Sequence, residues 1–258
     1  MKLGIIGLGI VGGTYHACYK FQGLDVKGYD KYVKSDVKSV KDLFDRDAIF
    51  LCLPTICKTN GEIDLTPYEE TMPKLKKYKG VTIIRSTLTP GTTAEYEKKY
   101  NLEQLIHCPE FLTEKNRLAD FFMPSRILIG SNHKKLDKSI EDALFKSFNV
   151  PIIYGTTTET ELAKYASNIF LALKITYANE FYEICKVHGV QWEKVKAMMI
   201  DSRINTKHMS VTRERGYGGM CFPKDVKQMI QHSIKKGYFP GLLIEMDKSN
   251  DIFRGVGK

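Results

Sequence analysis

The chain opens Lys2-Leu3-Gly4-Ile5-Ile6-Gly7-Leu8-Gly9-Ile10-Val11-Gly12, and this stretch decides the fold. An apolar run rich in branched residues reads as a buried strand, and it passes directly into a GxGxxG loop. At this spacing Gly7 permits a tight turn and Gly9 lets the backbone approach a pyrophosphate. Gly12 allows the following helix to pack closely on the strand. That helix turns its first amides and its positive dipole end toward an anion. The second strand ends at Asp30, 18 residues beyond Gly12. A carboxylate there accepts from the adenosine ribose hydroxyls and repels a 2′-phosphate, which favours NAD over NADP, although Lys31 follows it.

Working outward, apolar runs at Lys2–Leu8, Asp25–Tyr29, Ala48–Leu53, Val81–Ser86, Leu105–Cys108, Arg126–Ile129 and Val150–Tyr154 alternate with helical patterns. The latter include Leu65–Lys77, Thr92–Tyr100 and Lys134–Phe148. This alternation predicts an α/β, Rossmann-like doubly wound sheet with helices on both faces. Beyond Tyr154 the pattern becomes wholly helical. A stretch from Glu161 to Val187 without Pro or Gly predicts a long connecting helix, followed by helices over Trp192–Ile200, Pro223–Lys236 and Gly241–Phe253. We expect an NAD-binding domain over 1–155 and a helical domain over 156–258. Glu161, Lys164 and Asn168 fall at helical spacing and share a face of the long helix.

The remaining bulk properties exclude more than they specify. The net charge is +9, but the lysines are spread through amphipathic stretches with no basic arm or zinc-finger spacing. An anionic cofactor therefore fits better than nucleic acid. No apolar run approaches the length of a membrane span, and no cleavable leader is expected at the N-terminus. The cysteines at 18, 52, 57, 108, 185 and 221 show neither CxxC pairs nor metal-ligand spacing. No metal site is expected, and a reducing, cytoplasmic compartment fits.

Chemistry concentrates in Gly216-Tyr217-Gly218-Gly219-Met220-Cys221-Phe222-Pro223-Lys224-Asp225. Glycines make a loop whose backbone can crowd a ligand, and Pro223 suits the first turn of a helix. Cys221 is thus expected at a helix N-terminus beside Lys224, two influences that favour a thiolate. The other five cysteines read as small buried hydrophobes.

Five blocks resemble the UDP-glucose and GDP-mannose dehydrogenases: Gly7–Gly12, Ser86-Thr87 with Pro90-Gly91-Thr92-Thr93, Pro109–Glu114, Glu161–Asn179 and Gly216–Asp225. The resemblance implies oxidation of a sugar primary alcohol to a carboxylate with two NAD, through a thiohemiacetal and a thioester on Cys221. It gives Lys164 and Asn168 the oxyanion, Asp225 and Thr87 the water or proton carrier, and Glu110 the role of base. Ile10 and Val11 join the glycines, Asp30 and Thr87 at the cofactor, with Thr55, Glu114 and Lys224 toward the nicotinamide. Glu110, Phe111, Leu112, Lys164, Asn168, Tyr217 and Gly218 are implied at the nucleotide-sugar substrate, UDP-glucose first among them. Arg203 and Arg213 are the cations available for its diphosphate.

Two departures stand against the resemblance. Cys108 replaces the Asn that many members carry before Pro-Glu-Phe. The chain also resembles a short form, ending before the family's C-terminal UDP-binding domain. The competing readings are a two-electron 3-hydroxyacid dehydrogenase, which needs Lys but no nucleophilic Cys, and a non-catalytic NAD-binding subunit. The apolar Leu242, Leu243, Ile244, Met246 and Ile252 predict a homodimer through the last helix.

Overall fold

A computed structural model of the chain describes residues 1–256 other than 59, 103 and 134. The chain divides into two compact units, one of Met1–Ile56 with Ile63–Lys164, the other of Cys57–Glu62 with the chain from Tyr165 onward.

The first unit is built on seven strands: β1 (Lys2–Ile6), β2 (Asp25–Tyr29), β3 (Ala48–Leu51), β4 (Val81–Ile84), β5 (Leu105–His107), β6 (Ile127–Gly130) and β7 (Ile152–Gly155). They lie in the order β2-β1-β3-β4-β5-β6-β7, all parallel except β5 against β6. The predicted doubly wound sheet is therefore present. Its connections reverse direction between β1 and β3, and a crevice opens at the carboxyl ends of strands at such a switch point.

Alternation along the strands separates two cores. Leu3, Ile5, Phe50 and Ile83 face α1 (Ile10–Phe21), α4 (Arg117–Phe122) and α5 (Lys138–Phe145), through Tyr15, Tyr19, Phe121 and Leu144. Ile6, Ile49, Leu51 and Ile84 face α2 (Thr66–Thr71) and α3 (Thr92–Tyr100), through Tyr68 and Tyr96. Strands covered on both sides must be apolar at consecutive positions, which is why they read as unbroken runs.

Two predicted helices are shorter than their patterns. Leu65–Lys77 divides into α2 and a 3-10 turn at Met72–Leu75, because Pro73 has no amide to continue the α-helical ladder. The pattern over Lys134–Phe148 forms a helix only from Lys138, where Asp137 caps it by accepting from the Ser139 amide at 2.8 Å; Lys134 lies outside the described residues.

One charge sits inside the first core. Arg85 is 5% exposed, donates to Cys108 Sγ at 2.6 Å and to the Tyr15 hydroxyl, and lies 4.4 Å from the Tyr15 ring centroid. Among the described residues the guanidinium is thus held by a thiol, a phenol and an aromatic face rather than by a carboxylate.

Helix α6 (Thr157–Val187) starts in the first unit and continues into the second, which adds α7 (Trp192–Met199), α8 (Phe222–Lys235) and α9 (Gly241–Arg254). Trp192 is buried with Ala178, Cys185 and Met209, so that α7 and the chain after it close on α6. The long connection between α7 and α8 carries the glycine-rich segment.

Candidate active site

In the first unit the predicted residues collect at the carboxyl edge of the sheet. Gly7 has φ +90°, its amide donates to the Tyr29 carbonyl at 2.9 Å, and a Cβ there would stand 2.5 Å from the Cys52 carbonyl oxygen. Gly12 is closer still, since its Cβ would fall 1.8 Å from the Gly7 carbonyl oxygen. Both are glycines because the backbone leaves no alternative. Gly9 is different: a Cβ there meets nothing within 4 Å. It is the N-cap of α1, with Ile10 and Val11 opening the helix, and no side chain caps the first amides. An uncapped helix end behind an open glycine fits a pyrophosphate.

Asp30, expected at the ribose, is engaged by the backbone of its own fold. Its carboxylate accepts from the Leu8 amide at 2.7 Å, and from the Tyr32 and Val33 amides at 2.7 and 3.2 Å. Burial works against the charge, yet these amides hold the Asp30 carboxyl below its ordinary range. The second strand thereby pins the glycine loop of the first.

Thr55 and Thr87 follow β3 and β4 at the same edge, and the Ser86 hydroxyl ties the two ends together by donating to the Leu53 carbonyl at 2.6 Å. After β5, Glu110 accepts from its own loop, the Leu112 amide at 2.6 Å. Lys164, 5% exposed, donates to the Glu110 carbonyl at 2.6 Å, lies 3.7 Å from its carboxylate and stands 4.8 Å from the Phe111 ring centroid. Glu110, Phe111, Leu112 and Lys164 therefore form one cluster. Glu114 is exposed, beyond it.

Two further groups hold this cluster: Glu161, which sequence reasoning placed on the helix face of Lys164 without its partner, and His107, which it missed. Glu161 is fully buried and accepts from the Gly91 amide at 2.6 Å, the Thr93 amide at 2.9 Å and the Thr93 hydroxyl at 2.6 Å. It caps α3 from α6, one turn before Lys164. His107 is also buried; its Nε2 donates to the Ser86 carbonyl at 3.3 Å, leaving Nδ1 to accept from the Thr160 hydroxyl at 2.9 Å. Burial, with the charges of Arg85 and Lys164, pushes the His107 imidazole down to about 3, so it is neutral. Neither residue's role announces itself in one sequence, since both partners lie far along the chain.

In the second unit Cys221 is exposed and is the N-cap of α8, with Pro223 in the first turn. Asp225, 1% exposed, accepts from Lys224 Nζ and from Asn168 Nδ2, each at 2.6 Å. The cation expected beside Cys221 is thus paired with Asp225, and the Asn168 amide is engaged by the same carboxylate. Tyr217 is turned inward: it is 1% exposed, and its hydroxyl donates to Asp247 at 2.8 Å while its amide donates to Asn250 at 2.6 Å. Its phenol is an anchor within this unit.

The glycines on either side of it pack against α9. A Cβ on Gly216 would meet Asn250 Oδ1 at 2.4 Å, and one on Gly218 would meet Arg254 Nη1 at 2.6 Å. They admit α9, and only Gly219 faces open space. Arg203 is paired at 2.5 Å with Asp201, and Arg213 is exposed.

Residues 33–149 match the NAD binding domain of the UDP-glucose/GDP-mannose dehydrogenase family, and residues 158–252 match its central domain. The UDP-glucose 6-dehydrogenase AglM of Haloferax volcanii is 30% identical, over 97% of this chain and 70% of its own length. A UDP-glucose dehydrogenase structure from the hyperthermophilic archaeon Pyrobaculum islandicum superposes at a TM-score of 0.85 with 27% identity, over 98% of this chain and 68% of that one. The chain belongs to the UDP-glucose/GDP-mannose dehydrogenase family. It is an NAD-dependent oxidoreductase acting on CH–OH groups. The 3-hydroxyisobutyrate dehydrogenase of Mycobacterium tuberculosis shares its fold at a TM-score of 0.74 and 14% identity, over 99% of this chain and 94% of that one.

Within this family member, two anchors can be tested. Asp30→Ala removes an ionised acceptor of three backbone amides, so it should lower unfolding stability by about 2 kcal/mol as well as weaken NAD binding. Unchanged thermal stability, with only the NAD-to-NADP preference altered, would assign Asp30 to the ribose alone. Burial lifts the Glu161 carboxyl from 4.5 to about 7 against its hydrogen bonds. A raised value contributes stability that is full below the unfolded pKa and is lost as pH rises through the folded one. Between pH 4.5 and 7 the fold should therefore lose on the order of 3 kcal/mol from this group, and Glu161→Gln should flatten that slope in denaturant titrations. Parallel slopes would reject the assignment.

Proposed function

We propose that this chain oxidises the primary alcohol of a nucleotide sugar, UDP-glucose foremost, to the carboxylate, with Cys221 as covalent nucleophile. The observation that carries this reading is Cys221 itself, exposed at the N-terminus of α8. It stands in a chain that also has the family's NAD binding domain. NAD, when bound, supplies the hydride acceptor for two successive oxidations. The chain's residues do the rest. The Cys221 sulfur attacks the carbonyl carbon of the first product, giving a thiohemiacetal whose remaining C–H is lost in the second oxidation. The resulting thioester is opened by water, releasing the carboxylate and the thiol. By resemblance to the family, Lys164 and Asn168 stabilise oxyanion charge, Asp225 and Thr87 hold the water or proton carrier, and Glu110 takes the proton.

Two-electron oxidation of a 3-hydroxyacid, which like this reading would draw on Lys164, is the runner-up. That reaction has no step for a thiol. The domains proposed are a dinucleotide-binding part to about residue 155 and a helical part beyond it. The site residues Arg203 and Arg213 remain the proposed diphosphate contacts, and the proposed compartment is the cytoplasm, which keeps such a thiol reduced. No helix among the described residues is long and apolar enough to cross a membrane.

Exposed apolar side chains on the second unit support a homodimer. Phe170 of α6 is 60% exposed, and Leu242 and Ile252 of α9 are 66% and 71% exposed. Met246, expected among them, is buried at 4% and belongs to the inner face.

Two experiments test these readings. Cys221→Ser should abolish carboxylate formation from UDP-glucose while leaving NAD affinity within about twofold, a small change on the free-energy scale. Full activity in that variant would eliminate thioester chemistry. Ile252→Asp should convert a dimer to a monomer in sedimentation, lower turnover and spare NAD binding. A monomeric wild-type protein, or a monomeric variant with full turnover, defeats the dimer.

A further inference from the structure

Arg254 is the last residue of α9, and its side chain runs along the glycine-rich segment of the second unit. A Cβ on Gly216 would stand 3.1 Å from Arg254 Cγ. A Cβ on Gly218 would stand 2.6, 3.0 and 3.2 Å from its Nη1, Cζ and Nη2. The stem therefore passes Gly216 and the guanidinium rests on Gly218, so the side chain is directed toward the Cys221 end of the loop. Cys221 lies three residues beyond Gly218. Three residues reach at most about 11 Å even when fully extended, so the cation and the thiol are held near one another by the chain itself.

A cation in the last turn of a helix has an ordinary role, offsetting the negative end of the dipole. Arg254 leaves that place for the loop. Its Nη1 donates to the Arg215 carbonyl at 3.3 Å, and among the described residues no carboxylate pairs with it. Arg203 and Arg215 are committed, the first to Asp201 and the second to Glu183. Arg254 is exposed, and a guanidinium carries five N–H donors in a planar fork, so most of this fork is open to a ligand. Past it, Gly219 has open space where a Cβ would stand, Met220 is 73% exposed, and Cys221 is exposed as well. Cation, open glycine and thiol follow one another along one strip of loop.

We propose that Arg254 holds the diphosphate of the nucleotide sugar whose reacting carbon meets Cys221. Two N–H groups of a guanidinium match two phosphate oxygens, a fit that an ammonium cannot reproduce. In such a substrate the diphosphate hangs from the anomeric carbon, only a few bonds from the primary alcohol carbon. An anion seated on Arg254 therefore leaves the other end of the sugar within reach of the thiol. Gly218 is glycine for the same reason, because any side chain there would displace the guanidinium. The proposal rests on the reading of this chain as a nucleotide-sugar oxidoreductase, but the contact is measured without turnover.

Calorimetry of the NAD-free protein with UDP, GDP and uridine reads the contact, and kinetics with UDP-glucose and NAD varied in turn read its use. Arg254→Ala should weaken nucleoside diphosphate binding by about tenfold to a hundredfold and leave uridine binding within about twofold. The KM for UDP-glucose should rise by the same factor with a far smaller change in kcat, and the KM for NAD should hold. Arg254→Lys keeps the charge without the fork and should recover only part of the affinity. Iodoacetamide should alkylate Cys221 at the wild-type rate in both variants. Unchanged diphosphate affinity in Arg254→Ala overturns the proposal. So does a loss that falls on NAD, which would assign the guanidinium to the cofactor's pyrophosphate. Slowed alkylation in both variants alongside the lost affinity would reduce Arg254 to a support for the loop, and overturns it too. If diphosphate binding depends on Arg254 while the wild type leaves UDP-glucose unoxidised, the contact stands and the oxidation reading falls. If the wild type binds neither UDP nor GDP, both fall.

Discussion

Glu161 carries its carboxylate into a place without water, fully buried, and there accepts three hydrogen bonds at the start of α3. Removing a charge from water costs several kcal/mol, and only donors already fixed in place offset it. Here the donors are orphan amides at a helix N-terminus, groups that themselves require an acceptor. Each side solves the other's deficit. The consequence reaches further along α6, because Lys164 is one turn on and has no latitude once Glu161 is seated. Its ammonium is delivered to the Glu110 carbonyl and the Phe111 ring. The oxyanion role proposed for Lys164 therefore depends on a residue with no part in the chemistry.

A similar dependence holds the loop that carries Cys221. Asn250 accepts from the Tyr217 amide, Asp247 accepts from the Tyr217 hydroxyl, and Arg215 donates to Asn179 and Glu183 of α6 at 2.7 Å. The inner face of α9 carries Asp247, Asn250 and Met246, while Leu242 and Ile252 are exposed. Whatever covers the outer face of α9 is then one helix thickness from the loop that presents Cys221. Assembly and catalysis would share an element.

The fold was largely legible because strands buried on both faces are long apolar runs, and all seven fall within their predicted stretches to a residue or so. The helices of the second unit were legible by periodicity and by Pro223. What escaped was whatever depends on a partner distant in sequence. Glu161 and Lys164 share a face in a helical projection, yet one seals α3 and the other reaches the loop after β5. Glycines at 216 and 218 look like room for a ligand, but the space is filled by Asn250 and Arg254. Tyr217 looks like a substrate contact between glycines, and only the position of Asp247 shows why its ring is inside.

The same distinction bears on Lys224. In sequence it is a cation three residues from Cys221, and a lone cation there would stabilise a thiolate. In the folded unit its ammonium is 2.6 Å from Asp225, whose other oxygen holds Asn168. A buried carboxylate must be satisfied, and Lys224 and Asn168 satisfy it from opposite oxygens. The Lys224 ammonium is therefore paired with the Asp225 carboxylate and does not stand as a lone cation. Any event that withdraws Asn168 from Asp225 would unbalance that pair. An oxyanion drawing on the Asn168 amide, in the role proposed for it, would be such an event.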